Sequence, residues 1–384
     1  MAEFVFWLSA AVLVYTYVGY PLLLGLRVKM RTRPVHQSSM TPSVSILVVA
    51  HNEAHQIKQR IENLRELDYP DELLEIVIAS DASTDATVEA ASNYQKHGVR
   101  VVAFSEHRGK PAVLNELIPQ LKGEFVALMD VRQHIATDAL RKLLNNFADP
   151  NVGAVSGELF LTSANDSTDG LKGIGFYWRY EKLIRRYESQ IDSAIGVTGA
   201  LYALRRGLFK PIPENTVLDD VLIPMQIARQ GYRILFEPEA HASEPLSISP
   251  KAEQRRKIRT IAGNFQLFWR QPWLLNPLTN RLWFQTCSHK LTRLLCPAFL
   301  VLILFANLML LNQPFYLATL VMQVLFYLAA LLAQFWPNQA QKHVALSVPH
   351  AFCMLNWSTV LGFWRFVRGQ QRVTWAQARK PGQV

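Results

Sequence analysis

The two ends of the chain carry its longest apolar stretches. Phe4 to Leu26 is nearly free of charge and has about the ~20 residues that a helix needs to cross a bilayer. Three further apolar segments near the C-terminus run from Leu294 to Leu311, from Phe315 to Trp336 and from Val344 to Trp364. This pattern predicts an N-terminal transmembrane helix over residues 1–27 and C-terminal transmembrane segments over residues 291–366.

The middle of the chain alternates short apolar runs with segments of helical spacing. The runs, each of which predicts a buried strand, are Val44–Ala50, Glu75–Ala79, Val101–Phe104 and Glu124–Met129. Strands that alternate with helices predict an α/β domain over residues 40–250, with a doubly wound, mostly parallel sheet and helices on both faces. Such sheets bind ligands at the carboxyl ends of their strands.

A basic amphipathic segment follows this domain. Apolar residues recur at helical spacing between Arg255 and Pro277, namely Ile258, Ile261, Phe265 and Phe268. Together with nearby basic and tryptophan residues, they predict amphipathic interfacial helices over residues 251–290, lying in the headgroup layer. An ordinary surface helix of the soluble domain is the alternative.

The net charge is +10, and its placement matters more than its size. A basic run follows the first apolar stretch (Arg27, Lys29, Arg31 and Arg33), which predicts an N-terminus outside and a cytoplasmic middle domain. The basic tail over residues 367–384 favours a cytoplasmic C-terminus, whereas four spans would place it outside. The number of true spans and the side of the C-terminus therefore stay open.

The distribution of charge also bears on partners. Basic residues flank apolar spans instead of alternating with polar ones, which is typical of contact with membrane lipid and predicts no nucleic-acid partner. Three cysteines, Cys287, Cys296 and Cys353, are widely spaced and show no metal-ligand pattern. They are interpreted as small apolar packing residues.

Acidic and basic side chains follow several of the predicted strands. Asp81 lies in the turn Ser80–Asp85, where it can accept hydrogen bonds from a base or ribose, or simply belong to a helix cap. Lys110 begins a predicted helix after a glycine and offers an ammonium group to a phosphate, although surface lysines are common there.

Two later carboxylate positions complete the set. Asp130 ends the fourth strand, where a carboxylate can hold a divalent cation between two phosphates or be structural. Asp219 and Asp220 precede a predicted helix, so one of them is a candidate general base and a helix cap is the alternative.

Six short segments in this order resemble the motifs of one enzyme family. They are Val48–Glu53, Ser80–Asp85, Gly109–Asn115, Met129–Arg132, Gly199–Arg205 and Leu218–Asp220. The chain resembles the family 2 inverting glycosyltransferases of the membrane-bound synthase type, the group of cellulose, hyaluronan and chitin synthases. The resemblance covers about Ser43 to Gln266 and implies the GT-A fold.

The resemblance also implies roles for individual residues. Glu53 and Asp81 match positions near the uridine of a UDP-sugar donor, and Lys110 and Asp130 match positions near its ribose and diphosphate. Asp220 matches the catalytic base. A divalent metal, Mg²⁺ or Mn²⁺, is implied at Asp130. The acceptor side is implied to include Gly199, Asp219, Arg256 and Arg259.

The chain departs from the family pattern at two positions. Arg132 stands where the family's Asp-x-Asp has its second carboxylate, which puts metal dependence in question because an arginine can itself neutralise diphosphate charge. In the segment Arg256–Thr260, Thr260 stands where polymerising members have a tryptophan. Processive synthesis is therefore a weaker expectation than sugar transfer.

The sequence thus predicts a multi-pass enzyme of the bacterial inner membrane that transfers a sugar to a growing polysaccharide. One alternative is a non-processive transferase that adds one sugar to a lipid-linked acceptor. Another is an inert scaffold or binding protein with the same fold. The expected partners are a nucleotide-sugar, a saccharide or lipid-linked acceptor, membrane lipid, and a second copy or an export partner.

Overall fold

A computed structural model describes residues 1–162, 172–245, 250–336 and 343–370, with the side chains of 172–177 and 250–253 left aside. The helices are α1 (Ala2–Val14), α2 (Tyr20–Met30), α3 (Ala54–Arg65), α4 (Thr87–Ser92), α5 (Lys110–Leu117), α6 (Ala139–Asn145), α7 (Lys172–Ile191), α8 (Asp219–Arg229), α9 (Pro250–Arg270), α10 (Trp283–Gln285), α11 (Thr292–Met309), α12 (Pro314–Phe335) and α13 (Val344–Val367). The strands are β1 (Val44–Ala50), β2 (Leu74–Asp81), β3 (Val99–Phe104), β4 (Phe125–Met129), β5 (His134–Ile135), β6 (Val152–Thr162), β7 (Leu201–Arg205) and β8 (Arg233–Pro245).

The described chain forms two compact units. All eight strands lie in the second unit, which comprises residues 33–162 and 192–246. The first unit comprises residues 1–32, 163–191 and 247–371, and it contains the long apolar helices.

The strands form one sheet in the order β3-β2-β1-β4-β7-β6-β8-β5. The four predicted strands pair in parallel, β1 with β2 and β4, and β2 with β3. The other half is mixed, because β7 runs antiparallel to both β4 and β6, whereas β6 and β8 are parallel. The predicted α/β fold is confirmed, and the mixed half adds the strands that the sequence did not predict.

The core of this unit follows from the composition of its central strands. Every residue of β1 and β4 is buried, as expected for strands with helices on both faces. On α3 the buried residues Ile57, Ile61 and Leu64 recur at helical spacing and face the sheet core. Burial of this apolar surface is the main stabilising term of the domain.

The topology brings several chain segments to one edge of the sheet. β1, β2, β3 and β4 are parallel, so their carboxyl ends lie at the same edge. Because β7 is antiparallel to β4, with Leu201 opposite Met129, its first residues and the preceding Gly199 lie at that edge too. The candidate site is built there.

The first unit contains four helices long and apolar enough to cross a membrane, namely Ala2–Met30, Trp283–Met309, Pro314–Phe335 and Val344–Val367. They correspond to the predicted apolar segments at both ends. A π-helical turn at Tyr15–Gly19 joins α1 to α2, and Pro21 lies in the first turn of α2. Because Pro21 lies inside the continuous helix Ala2–Met30, its missing N–H and its ring disfavour a regular α-helix there, and the π-helical turn directly precedes it.

The amphipathic segment forms α9, and its apolar face contacts α13. The Phe265 ring packs on Phe363 and Phe366, with centroids 5.3 and 6.1 Å away. A Cβ on Gly362 would lie 2.7 Å from Ile261 Cγ2, so the two helices approach closely because residue 362 has no side chain. The predicted apolar face is therefore used for helix packing within this unit.

A buried ionic cluster ties α7 to the helices of the same unit. His289 lies between two carboxylates, with Nε2 3.1 Å from Glu181 Oε2 and Nδ1 2.9 Å from Glu188 Oε1. Tyr20 donates a 2.6 Å hydrogen bond to Glu188, and Arg293 pairs with Glu181. Burial alone would raise the pKa of Glu181, but the charges of Arg293 and His289 hold it well below its ordinary value.

We predict that Glu181→Gln destabilises the protein by about 3–5 kcal/mol, because Arg293 and His289 lose their buried counter-charge. The folded pKa of Glu181 is lowered, so its contribution is present above the unfolded pKa of about 4.3 and is lost as pH falls through the folded pKa. Thermal unfolding in detergent at several pH values measures both effects. Glu62→Gln, which removes an exposed pair with Lys58, is the control and should change stability by no more than about 0.5 kcal/mol. Equal effects of the two variants would contradict the interpretation.

Candidate active site

Lys110 lies at the centre of the candidate site. It is the first residue of α5 and follows Gly109, whose φ of +91° is favourable only for glycine. Lys110 Nζ lies 2.8 Å from Asp130 Oδ1 and 3.5 Å from Asp219 Oδ2. The positive φ at Gly109 thus lets the chain turn from β3 into α5 with the ammonium group directed at two carboxylates.

The charge state of Lys110 follows from these neighbours. Burial lowers the pKa of its ammonium group, but the charges of Asp130, Asp219 and Asp220 outweigh that effect and raise it above the ordinary value. Lys110 is therefore a permanent cation at neutral pH. A buried cation of this kind can stabilise a diphosphate without a proton transfer.

Gly199 separates two of the carboxylates. A Cβ at this position would lie 3.5 Å from Asp130 Oδ2 and 3.8 Å from Asp220 Oδ2. Asp219 and Asp220 form the first turn of α8, where negative charge is favoured by the helix dipole. The structure thus brings the predicted residues Lys110, Asp130, Asp219, Asp220 and Gly199 together.

Arg132 forms an ion pair with Glu53. Among the described residues, no hydrogen bond joins Arg132 to Asp130. Its Nε and Nη2 atoms donate to Glu53 Oε1 at 3.1 and 2.8 Å. The Arg132 side chain is 51% exposed, whereas Glu53 is largely buried and its Oε2 has no hydrogen-bond partner among the described residues. Glu53 and Arg132, both predicted on the donor side, therefore form one ion pair just after β1.

Asp81 is fully buried at the end of β2. Its Oδ1 accepts the Arg108 N–H at 2.9 Å, and its Oδ2 accepts the Gly109 N–H at 2.7 Å and faces His107 Nδ1 at 2.9 Å. These contacts hold the loop that leads into Lys110. The sequence indicated either a ligand contact or a helix cap, and the structure shows a third role, the anchoring of this loop.

Two residues of the site were missed by the sequence analysis. Arg60 is buried on α3 and donates to the Gln133 carbonyl at 2.9 Å, which fixes the chain just after Asp130. Burial lowers its pKa to about 10, and the nearby charge of Asp130 opposes that shift. Its position between Ile57 and Ile61 on the apolar face of α3 was the signal that could have revealed it.

The second is Tyr202 on β7. Its hydroxyl is buried and has no hydrogen-bond partner among the described residues. Burial, followed by the charges of Asp219, Asp220 and Asp130, raises its pKa well above the ordinary value. Tyr202 is thus a neutral hydroxyl donor close to three carboxylates.

Arg256 and Arg259, predicted on the acceptor side, lie on α9 in the first unit. Thr260, which stands where a tryptophan was expected, donates to the Arg256 carbonyl at 3.2 Å. The acceptor-side arginines are therefore carried by the helical unit, whereas Gly199 and Asp219 belong to the sheet unit.

Comparison with known proteins identifies the sheet domain. The model of the family described as Glycosyl transferase family 2 matches residues 45–212. The chain contains a family 2 glycosyltransferase domain. This match includes the site residues from Glu53 to Gly199, and Asp219 and Asp220 follow just after its end.

Two curated relatives share one name. A poly-beta-1,6-N-acetyl-D-glucosamine synthase of Staphylococcus epidermidis is 22% identical over 274 residues, which is 70% of this chain and 64% of that protein. A synthase of the same name from Staphylococcus aureus strain COL is 24% identical over 220 residues, or 56% of this chain and 53% of that protein. The chain spans less than two thirds of the length of these relatives.

A solved structure confirms the GT-A type of fold. The mannosyltransferase PcManGT from Pyrobaculum calidifontis, in complex with GDP-Man and Mn²⁺, matches with a TM-score of 0.72. The match covers 96% of this chain and 100% of that chain at 22% sequence identity. At that identity the likeness shows the fold alone.

We predict that Tyr202→Phe leaves stability unchanged or raises it by up to about 1 kcal/mol, because it removes a buried hydroxyl that has no partner. Tyr69→Phe is the matched control, since Tyr69 donates to the Pro42 carbonyl, and it should cost about 1 kcal/mol. Thermal unfolding of both variants is the measurement. A loss of stability in Tyr202→Phe as large as in Tyr69→Phe would show that the hydroxyl is already satisfied.

Proposed function

We propose that this protein is a membrane-bound inverting glycosyltransferase that transfers a sugar from a nucleotide-sugar, a UDP-sugar by preference, to a growing polysaccharide. The observation that carries this proposal is the buried Lys110 ammonium group among Asp130, Asp219 and Asp220 at the carboxyl ends of parallel strands. The names of the curated relatives support a polysaccharide product. The bound GDP-Man of the structural neighbour supports a nucleotide-sugar donor.

The proposed reaction uses two groups, Asp220 and Lys110. Asp220 takes the proton of an acceptor hydroxyl, and the acceptor oxygen attacks the anomeric carbon of the donor sugar. The bond from that carbon to the diphosphate oxygen breaks, and the nucleoside diphosphate leaves with the electron pair. Attack in line with the departing group inverts the anomeric centre. Lys110 stabilises the charge that develops on the diphosphate.

The charges of the site fit a divalent cation. Three carboxylates, Asp130, Asp219 and Asp220, act on Lys110, and Asp130 also lies near Arg60, so these three carboxylates and two cations sum to one net negative charge. A diphosphate needs further positive charge there. Among the described residues no group of three or more His, Cys, Asp or Glu side chains is placed to hold a metal alone.

A metal held jointly by protein and substrate suits this arrangement. Mg²⁺ is commonly bound through one or two carboxylates together with substrate phosphates. Asp130 would hold Mg²⁺ or Mn²⁺, since its side chain is 41% exposed and Lys110 contacts only Oδ1. When bound, the ion would neutralise diphosphate charge.

The domain organisation completes the proposal. Residues 1–27 and 291–366 would span the bacterial inner membrane several times, and residues 40–250 would form the cytoplasmic catalytic domain. Residues 251–290 would lie at the interface, followed by a basic tail over 367–384. A second copy or an export partner would help to pass the product through the membrane.

A non-processive transferase with a lipid-linked acceptor is the second candidate, and Thr260 favours it. A tryptophan at this position would give the acceptor sugar an aromatic platform, which threonine lacks. Incubation with a radiolabelled donor separates the two: a ladder or high polymer supports the first candidate, and a single glycolipid supports the second.

The experiment that tests the proposal is release of nucleoside diphosphate by the purified protein in detergent, with a panel of UDP- and GDP-sugars and added membrane lipids. We predict that Asp220→Asn lowers turnover by about 10²- to 10⁴-fold and leaves nucleotide binding intact, because the general base is lost. Asp138→Asn, which removes an exposed pair with Lys142, is the control and should keep full activity. Unchanged turnover in Asp220→Asn would remove the catalytic assignment, and no release from any donor would favour an inert scaffold.

The departure at Arg132 gives a further prediction. If Arg132 neutralises diphosphate charge, Arg132→Gln should raise the donor KM by about tenfold, in line with the 1.5–3 kcal/mol of a hydrogen bond to a charged group. It should also make turnover more dependent on added Mn²⁺. Arg141→Gln, which removes an exposed pair with Asp68, serves as the control. An unchanged KM with an unchanged Mn²⁺ requirement would show that Arg132 serves only Glu53.

A further inference from the structure

Two histidine rings stack at the strand ends beside Asp81. His51 directly follows β1 and His107 lies in the loop after β3, with ring centroids 3.9 Å apart and an angle of 17° between the planes. His51 Nδ1 lies 2.7 Å from the Asp81 carbonyl oxygen. His107 Nδ1 lies 3.2 Å from the same oxygen and 2.9 Å from Asp81 Oδ2.

These contacts fix the tautomer of both rings. A carbonyl oxygen only accepts hydrogen bonds, and the Asp81 carboxylate already accepts the N–H groups of Arg108 and Gly109. Each Nδ1 must therefore carry the proton, which leaves Nε2 of the neutral ring as an acceptor. The tautomers are inferred here from the hydrogen-bond network.

The two Nε2 atoms differ in their partners. His51 Nε2 lies 3.2 Å from the Asn52 side-chain amide nitrogen, which can donate to it. His107 Nε2 is buried and has no hydrogen-bond partner among the described residues. A buried acceptor without a donor is unfavourable, so a ligand that supplies a donor N–H binds more tightly there.

The position of His107 suits the base end of a nucleotide. His107 precedes Lys110 by three residues, which span at most about 11 Å even when fully extended. On the sheet, β3 lies three strands from β4 and Asp130, or about 14 Å at the usual strand spacing. With its diphosphate at Lys110 and Asp130, a nucleotide reaches toward the ends of β2 and β3. Ser105 and Glu106 are exposed and the His107 side chain is 26% exposed, so the ring lies near the surface, where a base can approach it.

We propose that His107 Nε2 accepts a hydrogen bond from the ring N–H of the donor nucleobase, and that Asp81 acts as a positioning residue by holding the required tautomer. The inference rests on the proposed function. It predicts a preference for bases that carry a ring N–H, such as uracil through N3–H and guanine through N1–H. Cytosine, which has an acceptor at N3, is disfavoured. Asp81 is fully buried and its carboxylate accepts the N–H groups of Arg108 and Gly109, whereas His107 Nε2 has no such partner among the described residues.

The test compares the binding of UDP, N3-methyl-UDP, GDP and CDP to the purified full-length protein by calorimetry. We expect the unmodified protein to bind UDP at least about tenfold more tightly than N3-methyl-UDP and CDP, because those ligands leave Nε2 unpaired. If GDP binds as tightly as UDP, the site accepts any base with a ring N–H. If GDP binds more weakly, the site prefers uracil. Equal binding of UDP and N3-methyl-UDP would overturn the proposal.

Substitutions separate the acceptor from the stacking. His107→Phe keeps a ring on His51 but has no acceptor, so UDP and N3-methyl-UDP should bind equally and weakly. His107→Gln keeps an acceptor oxygen and should recover part of the discrimination. His97→Phe, at an exposed histidine, should leave it unchanged. Discrimination that persists in His107→Phe would overturn the proposal.

Failure of all nucleotides to bind would overturn the proposed function as well, whereas turnover without base discrimination would overturn this inference alone.

Discussion

The site depends on keeping one ammonium group charged in a buried position. Lys110 is stable there because three carboxylates face it, and these carboxylates come from two distant parts of the chain. Asp130 comes with the end of β4, Asp219 and Asp220 come with the first turn of α8, and Asp81 holds the loop from which Lys110 emerges. Removal of any one of them leaves charge in a region of low dielectric, where unpaired charge is costly. In the proposed function, the same arrangement that stabilises the lysine would also receive the diphosphate of the donor.

The parallel half of the sheet could be predicted because its signals are local. Val44–Ala50 and Phe125–Met129 are continuous apolar runs, which is what strands buried on both faces require. The mixed half could not be predicted in the same way. β8 (Arg233–Pro245) contains Glu237, Glu239 and His241, which break the apolar run, and its place in the sheet depends on pairing with β6. α7 was missed for a related reason, since its Glu181 and Glu188 pair with His289 and Arg293, which lie more than 100 residues further along the chain.

The candidate site shows the same division. The rule that ligands bind at the carboxyl ends of parallel strands was enough to place Lys110 and Asp130 together. It did not predict that Asp81 would be enclosed by backbone N–H groups, because that depends on the path of the loop after β3. It also missed Tyr202, whose importance comes from antiparallel pairing beside β4. The sequence predicts which side chains lie at the edge of the sheet. Long-range packing decides which of them keep a polar atom that is not already hydrogen-bonded within the protein.

The family pattern has a second carboxylate where this chain has Arg132, and the pairing of Arg132 with Glu53 gives this arginine a structural role. Glu53 is largely buried, and its carboxylate accepts two hydrogen bonds from the Arg132 guanidinium group. Arg132 therefore neutralises the buried charge of Glu53. A diphosphate that drew Arg132 away would leave Glu53 unpaired, and part of the binding energy would be consumed by that loss. A divalent cation on Asp130 would leave the Arg132–Glu53 pair intact, and the ion pair between Asp130 and Lys110 is made through Oδ1. The electrostatics therefore favour an arrangement in which the metal and Lys110 neutralise the diphosphate. Any contact of Arg132 with the donor would weaken its ion pair with Glu53.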